Sequence, residues 1–239
     1  MNILVTGGAS GLGETITRTL AKNGANTIYF TYNRSKVNAE AIEKEFPNTN
    51  AFYCNFEEQQ SFALFLEKME ELHLQIIINN AMTGFEKNHF HKMSPENFTA
   101  GFLKNILPVI QLTQKAIHIF RKHKFGKIIT ILSAAIIDKP PIGWSEYVAQ
   151  KNYLLSLSKS WAIENTKFNI VSNCVSPSFM KTALTSDTDE RIIEEMQRNH
   201  PLKKLLTTEE VAEAVAFLVH APQHINGTNL VLNAAENIH

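Results

Sequence analysis

Thr6-Gly7-Gly8-Ala9-Ser10-Gly11-Leu12-Gly13 is the stretch whose reading decides the fold. It follows a short apolar run, Ile3 to Thr6, that reads as a strand, and it leads straight into a helical pattern ending near Asn23. A glycine-rich turn between strand and helix lets backbone N–H groups approach a phosphate, and the helix N-terminus adds a favourable dipole. The G-x-x-x-G-x-G spacing in that context points to a phosphate-binding turn of an α/β fold. A turn that serves only to reverse the chain is the plainer alternative.

The totals suit a single domain of that class. At 239 residues the chain is one large domain or two small ones, and an α/β fold of this length is normally single. A hydrophobic fraction of 44% supports a substantial core. A formal net charge of zero without a basic tract argues against a dedicated nucleic-acid binder and against an electrostatic membrane anchor. Cys54 and Cys174 lie in apparent strands and read as buried thiols in a reducing compartment, not as a disulfide framework. Met1 to Val5 pass directly into a strand, which leaves no room for a signal peptide, and no apolar run reaches the roughly 18 residues of a spanning helix. The expectation is a soluble cytoplasmic protein.

The chemistry centres on Tyr147-Val148-Ala149-Gln150-Lys151, with Ser133 upstream. Tyr147 and Lys151 are four residues apart, so on a helix they share a face. A phenol has a reference pKa of about 10, and a neighbouring ammonium favours phenolate. Ser133 ends the apolar run Ile128 to Leu132, which reads as a buried strand, and its hydroxyl can share a substrate oxygen that Tyr147 protonates. Alone, Y-x-x-x-K more often marks an ordinary helix face.

Together these motifs resemble the short-chain dehydrogenase/reductase family along essentially the whole chain. Thr6, Gly7, Gly11 and Gly13 match its T-G-x-x-x-G-x-G signature, and the Ser133, Tyr147 and Lys151 motifs follow in order. The resemblance implies a single doubly wound Rossmann domain over residues 1–239, with a seven-stranded parallel sheet flanked by helices and a substrate lid at about 183–200. It implies a nicotinamide cofactor at Gly7, Ser10, Gly11, Leu12 and Gly13. Thr27 to Tyr32 reads as the second strand, whose end separates NAD from NADP. Thr31 stands where NAD-preferring relatives carry Asp; Asn33 and Arg34 follow, and the next acid is Glu40. Arg34 can pair with a 2′-phosphate, or be an ordinary solvated charge. NADP(H) is therefore favoured over NAD(H), although Ser10 replaces the basic residue of many NADP-using relatives.

The family's adenine contacts fall on Asn55 and Phe56. Asn79-Asn80-Ala81-Met82 matches its N-N-A-G except that Met82 replaces glycine. Asn105, 28 residues before Ser133, falls on the family's catalytic Asn, which holds a water linking the lysine to solvent; an Asn bonded locally inside a helix is the alternative. Pro177 and Ser178 match the end of N-x-V-x-P-G, with Ser178 for glycine, and Met180 to Thr182 fall on the segment that holds the carboxamide. Thr182 as a helix N-cap is the alternative. The closing D-G-G is replaced by Asn233-Ala234-Ala235. His89 and His91 lack a matching cluster, and no metal site is expected. Trp144 lines the substrate mouth or starts the helix as a buried aromatic.

The expected function is carbonyl reduction: Tyr147 as general acid, Ser133 stabilising the oxygen, Lys151 lowering the Tyr147 pKa and holding the ribose, and Asn105 anchoring the water. Members reducing 3-oxoacyl-(acyl-carrier-protein) give the nearest likeness, so an acyl thioester is the expected substrate and an acyl carrier protein the implied partner. Sugar and small-alcohol dehydrogenases share the scaffold. A homodimer or homotetramer is expected, with no nucleic-acid or membrane partner. A cofactor-binding sensor or subunit without turnover competes, motivated by the glycines lost at Met82, Ser178 and Ala234.

Overall fold

In the computed structural model, described for residues 1–137, 139–182, 185 and 188–236, seven parallel strands form one sheet in the order β3-β2-β1-β4-β5-β6-β7. The strands are β1 (Asn2–Val5), β2 (Thr27–Tyr32), β3 (Thr49–Tyr53), β4 (Ile76–Asn79), β5 (Gly126–Ile131), β6 (Ile170–Pro177) and β7 (Asn229–Leu232). The central strands β4, β5 and β6 are buried along their whole length, the signature of a parallel sheet covered on both faces. Asp138, in the loop before the helix that carries Tyr147, lies outside the described residues, as do Ala183, Leu184, Ser186 and Asp187 of the expected lid.

Helices cover both faces. On one, α1 (Gly11–Ala21) and α8 (Thr208–His220) pack Ile16, Leu20, Val215 and Leu218 against Ile3, Phe30, Ile78 and Val175. On the other, α3 (Gln59–Lys68), α5 (Leu107–His123) and α6 (Ser145–Asn165) bring Phe65, Leu112, Phe120, Leu154 and Trp161 onto Leu4, Ile77 and Ile128. The remaining helices are α2 (Lys36–Glu45), α4 (Pro95–Gly101) and α7 (Glu190–Asn199). No helix of the described residues is long and apolar enough to cross a membrane.

Strand order reverses between β1 and β4, and such a switch point opens a crevice at the carboxyl ends of the strands. Thr6 stitches its floor. Its Oγ1 accepts hydrogen bonds from the Asn80 and Ala81 N–H groups, each at 2.9 Å, while Asn80 Nδ2 donates to the Thr6 carbonyl at 2.9 Å.

Three local features shape the elements between the strands. α3 ends at Lys68, a tighter turn covers Met69–Leu72, and His73 leaves it at φ 48°. The helix expected to carry Asn105 is interrupted by a π turn, Phe102–Ile106, between α4 and α5. Pro108 explains it: the ring has no N–H to give and clashes with the carbonyl four residues back, so the register widens. Lys127 is buried in β5, and its ammonium donates to the Val219 carbonyl at 2.8 Å and that of Ala221 at 2.5 Å, satisfying the end of α8.

The turn after β7 survives the loss of its glycines. Ala234 and Ala235 adopt φ of 50° and 59°, and the Ala235 N–H donates to Asn233 Oδ1 at 3.2 Å. A left-handed non-glycine residue costs about 1–2 kcal/mol. Glycine gives back about 0.4–1 kcal/mol through the unfolded chain. Ala234→Gly is therefore expected to stabilise the protein by about 0.5–1 kcal/mol, read as a higher midpoint in urea unfolding; a lower midpoint would refute the strain at this turn.

Candidate active site

The cleft begins at the glycine turn. Gly7 (φ 66°) and Gly11 (φ 51°) take left-handed backbone. A side-chain carbon on Gly13 would stand 2.1 Å from the Gly7 carbonyl oxygen and 2.5 Å from Asn80 Nδ2, so only glycine lets α1 start this close to β1. Space above Gly11 is open. Ser10 occupies the cap position of α1 without a side-chain cap bond, leaving the first-turn N–H groups around Leu12 to the cleft. This donor set and cradle fit the diphosphate of a dinucleotide.

Thr31 is 1% exposed, and its hydroxyl accepts from the Gly7 N–H at 2.9 Å. Its oxygen thus serves the glycine turn, and β2 ends without a carboxylate. Glu40, the next acid, lies 3.7 Å from Lys36. Asn33 and Arg34 are exposed at the rim. Asn33 Nδ2 donates to Asn55 Oδ1 at 3.3 Å, and Arg34 has no ion-pair partner among the described residues. Phe56 packs edge-on against Phe62, with centroids 5.4 Å apart.

On the far side of the crevice, β5 and α6 assemble the reactive groups. Lys151 is 6% exposed, and its ammonium donates to the Ile131 carbonyl at the end of β5 at 2.8 Å. Burial lowers its pKa to about 8. Tyr147, one turn earlier, is also 6% exposed, with the Lys151 Nζ 5.7 Å from its ring centroid. Burial raises the Tyr147 pKa, and a hydrogen bond with Ser133 opposes the rise. Desolvation is the larger of the two effects on the phenol. Ser133 Oγ also accepts from the Ala135 N–H at 3.2 Å, which fixes the turn after β5.

Asn105 is buried, and it is not bonded locally inside a helix. It sits in the π turn and bonds across the fold: its Oδ1 accepts from the Thr83 N–H at 2.9 Å and hydroxyl at 2.7 Å, and its Nδ2 donates to Gln150 Oε1 at 3.1 Å.

The strand ends of β4 and β6 complete the rim. Met82 and Ser178 both lie outside the left-handed region, so neither lost glycine strains the backbone there. Pro177 is the last residue of β6, and Met180 packs on the core below. The Thr182 N–H donates to Thr185 Oγ1 at 2.9 Å, whose hydroxyl donates to the Met180 carbonyl at 2.8 Å. Asp189 caps α7, where only Ile193 is buried. His89 and His91 have ring centroids 5.8 Å apart, and no three metal-ligating side chains cluster among the described residues. Cys54 and Cys174 are free and buried.

Several residues of the site were not legible in the sequence. Phe85 lies 4.7 Å, ring to ring, from Tyr147, and Trp144 lies 5.3 Å from Tyr147 and 4.9 Å from Phe85. Trp144 stands at the cap position of α6, half-buried. Glu146 and Gln150, 2% and 6% exposed, back the site with a polar layer. Their spacing repeats that of Tyr147 and Lys151 one residue earlier, the only signal for them in the sequence.

Comparison with known proteins agrees with this geometry. A family model described as enoyl-(acyl carrier protein) reductase matches residues 7–234. Nodulation protein G of a Rhizobium species is 30% identical over 234 residues, covering 96% of this chain and 94% of that protein. A 3-oxoacyl-[acyl-carrier-protein] reductase of Thermotoga maritima is 28% identical over 222 residues, covering 90% and 88%. An acetoacetyl-CoA reductase of Synechocystis is 27% identical over 238 residues, covering 98% and 95%.

The buried ammonium sets a pH dependence. With a folded pKa of about 8 and an unfolded one near 10.5, the unfolded chain binds more protons above pH 8, so stability from this group rises with pH there. Wild type should gain about 1 kcal/mol over Lys151→Met between pH 7.5 and 9 in urea unfolding. A constant difference across that range would refute the burial of a titrating ammonium.

Proposed function

The chain belongs to the short-chain dehydrogenase/reductase family of oxidoreductases, and on that premise we propose that it is an NADP(H)-dependent reductase of ketones, with 3-oxoacyl thioesters as the substrate class. The observation that carries the proposal is the burial of Tyr147 and Lys151 together at the end of β5, with Ser133 in the turn that follows that strand.

When bound, the nicotinamide supplies the hydride. Tyr147 gives its proton to the substrate oxygen, and a phenol, with a reference pKa of about 10, carries that proton at neutral pH. The Ser133 hydroxyl, aligned by the Ala135 N–H, hydrogen-bonds the same oxygen as negative charge develops. Lys151, held by the Ile131 carbonyl, presents its remaining N–H groups to the ribose and to Tyr147. Asn105 has both acceptor positions of its amide filled by Thr83, which leaves one N–H of its side chain for a relay water.

The cofactor preference is supported by the neutral, engaged Thr31 and by Arg34 at the rim. Gly7, Ser10, Gly11, Leu12 and Gly13 would hold the diphosphate, Asn33 and Arg34 the 2′-phosphate, and Asn55 and Phe56 the adenine. Asn80, Ala81 and Met82, with Pro177, Ser178, Met180 and Thr182, would line the nicotinamide end. The names of the thioester-reducing relatives support the substrate class, with an acyl carrier protein or coenzyme A as the thiol. Exposed apolar side chains around α5 and α6 (Leu103, Tyr153 and Ile163) support a homodimer or homotetramer built on that face.

Fluorescence titration should show NADPH binding at least about tenfold tighter than NADH, with oxidation on 3-oxoacyl thioesters; Arg34→Ala should erase most of that preference. Preference for NADH would overturn the cofactor assignment. Tyr147→Phe should lower kcat by about 10²-fold or more while leaving NADPH affinity within about twofold. Near-normal turnover in that variant would remove the mechanism.

A further inference from the structure

Glu146 is a buried carboxylate to which the reaction assigns no task. Its Oε2 accepts from the Glu86 N–H at 3.2 Å and its Oε1 from Gln150 Nε2 at 2.8 Å. Gln150 Oε1 accepts from Asn105 Nδ2 at 3.1 Å, and Asn105 Oδ1 accepts from the Thr83 N–H at 2.9 Å. The chain of bonds therefore runs from Glu86 through three buried side chains back to Thr83. Between its two backbone anchors lie only Gly84 and Phe85, and the Phe85 ring rests against Tyr147. A side-chain carbon on Gly101 would fall 2.0 Å from Glu146 Oε1 and 2.4 Å from Gln150 Nε2, so α4 ends in the one residue that admits the pair.

We propose that Glu146, Gln150 and Asn105 act as a positioning staple that pins loop 83–86 over Tyr147, making Phe85 a wall of the substrate pocket and tying substrate fit to this buried chain. The carboxylate is what the chain demands. Both ends present backbone N–H donors. An amide passes a hydrogen bond on with one donor and one acceptor side, so two amides cannot join two donor ends. One member must accept on both sides, and only a carboxylate does. Leaving a buried donor unmatched is costly, so the staple stands or falls with that parity. Phe85 and Trp144 keep half-exposed faces beside Tyr147, against which the group flanking the substrate carbonyl would rest.

This inference rests on the ketone-reductase reading, and parity supplies a test that separates the two. Glu146→Gln and Gln150→Glu each break the donor–acceptor order. The double swap Glu146→Gln/Gln150→Glu restores it, with the charge moved one helical turn. In each single variant, KM for a 3-oxoacyl thioester should rise about tenfold, the worth of one lost hydrogen bond, with the NADPH dissociation constant unchanged. The swap should recover most of that loss. Hydrogen exchange should show the Thr83 and Glu86 amides protected in wild type, deprotected in the singles and protected again in the swap. Singles with wild-type KM and protection, or a folded swap no better than the singles, would overturn the staple. Should the wild-type protein bind NADPH yet turn over no ketone, the reductase reading fails, and exchange at Thr83 and Glu86 alone decides whether the staple holds the loop.

Discussion

The site depends on how closely two pieces of backbone approach at the switch point. Gly13 leaves no room for a side chain between α1, the Gly7 carbonyl and the Asn80 amide, and Thr6 binds the end of β4 to the end of β1. This contact aims the N-terminus of α1 at the crevice and fixes where β4 releases the chain. The loop after β4 then reaches Tyr147 across the cleft. Widening the contact by one methyl would move the phosphate cradle and the substrate wall together.

The same exclusion of water acts oppositely on the two reactive groups of α6. It raises the phenol and lowers the ammonium, so burial favours the neutral form of each. Ser133 and the Ile131 carbonyl are the polar contacts that temper this. Spacing along a helix shows that two groups meet and says nothing about how dry their meeting place is.

Much of the architecture was nonetheless legible. β2 runs over the residues expected of it, since β-branched and aromatic runs bounded by turn residues have little choice in a parallel sheet. The glycine turn, Tyr147, Lys151 and Ser133 gather at the carboxyl ends of the central strands because motif spacing encodes strand ends and helix faces. The unread parts all depend on contacts distant in sequence. Thr31 was read only as the place of a missing Asp, and nothing nearby in sequence showed that its hydroxyl serves Gly7, 24 residues away. Asn105 was expected in a regular helix, but Pro108 opened a π turn and its amide bonded Thr83 and Gln150. Phe85 gave no sign, because a loop aromatic announces no partner. Glu146 and Gln150 passed as ordinary polar residues of a helix whose neighbouring positions carried the recognised motif.

The buried Lys127 places a constraint on how this protein can come apart. Its ammonium is lodged between β5 and the last carbonyls of α8, and burial already lowers its pKa. The end of α8 cannot fray by itself, since each carbonyl that leaves strands a positive charge inside the sheet. Loosening of that helix end must therefore admit water to β5, the strand that leads to Ser133 and anchors Lys151. The far end of the molecule and the reactive edge thus share one opening event, and partial melting of α8 that spares the site is not among the states the fold can cheaply visit.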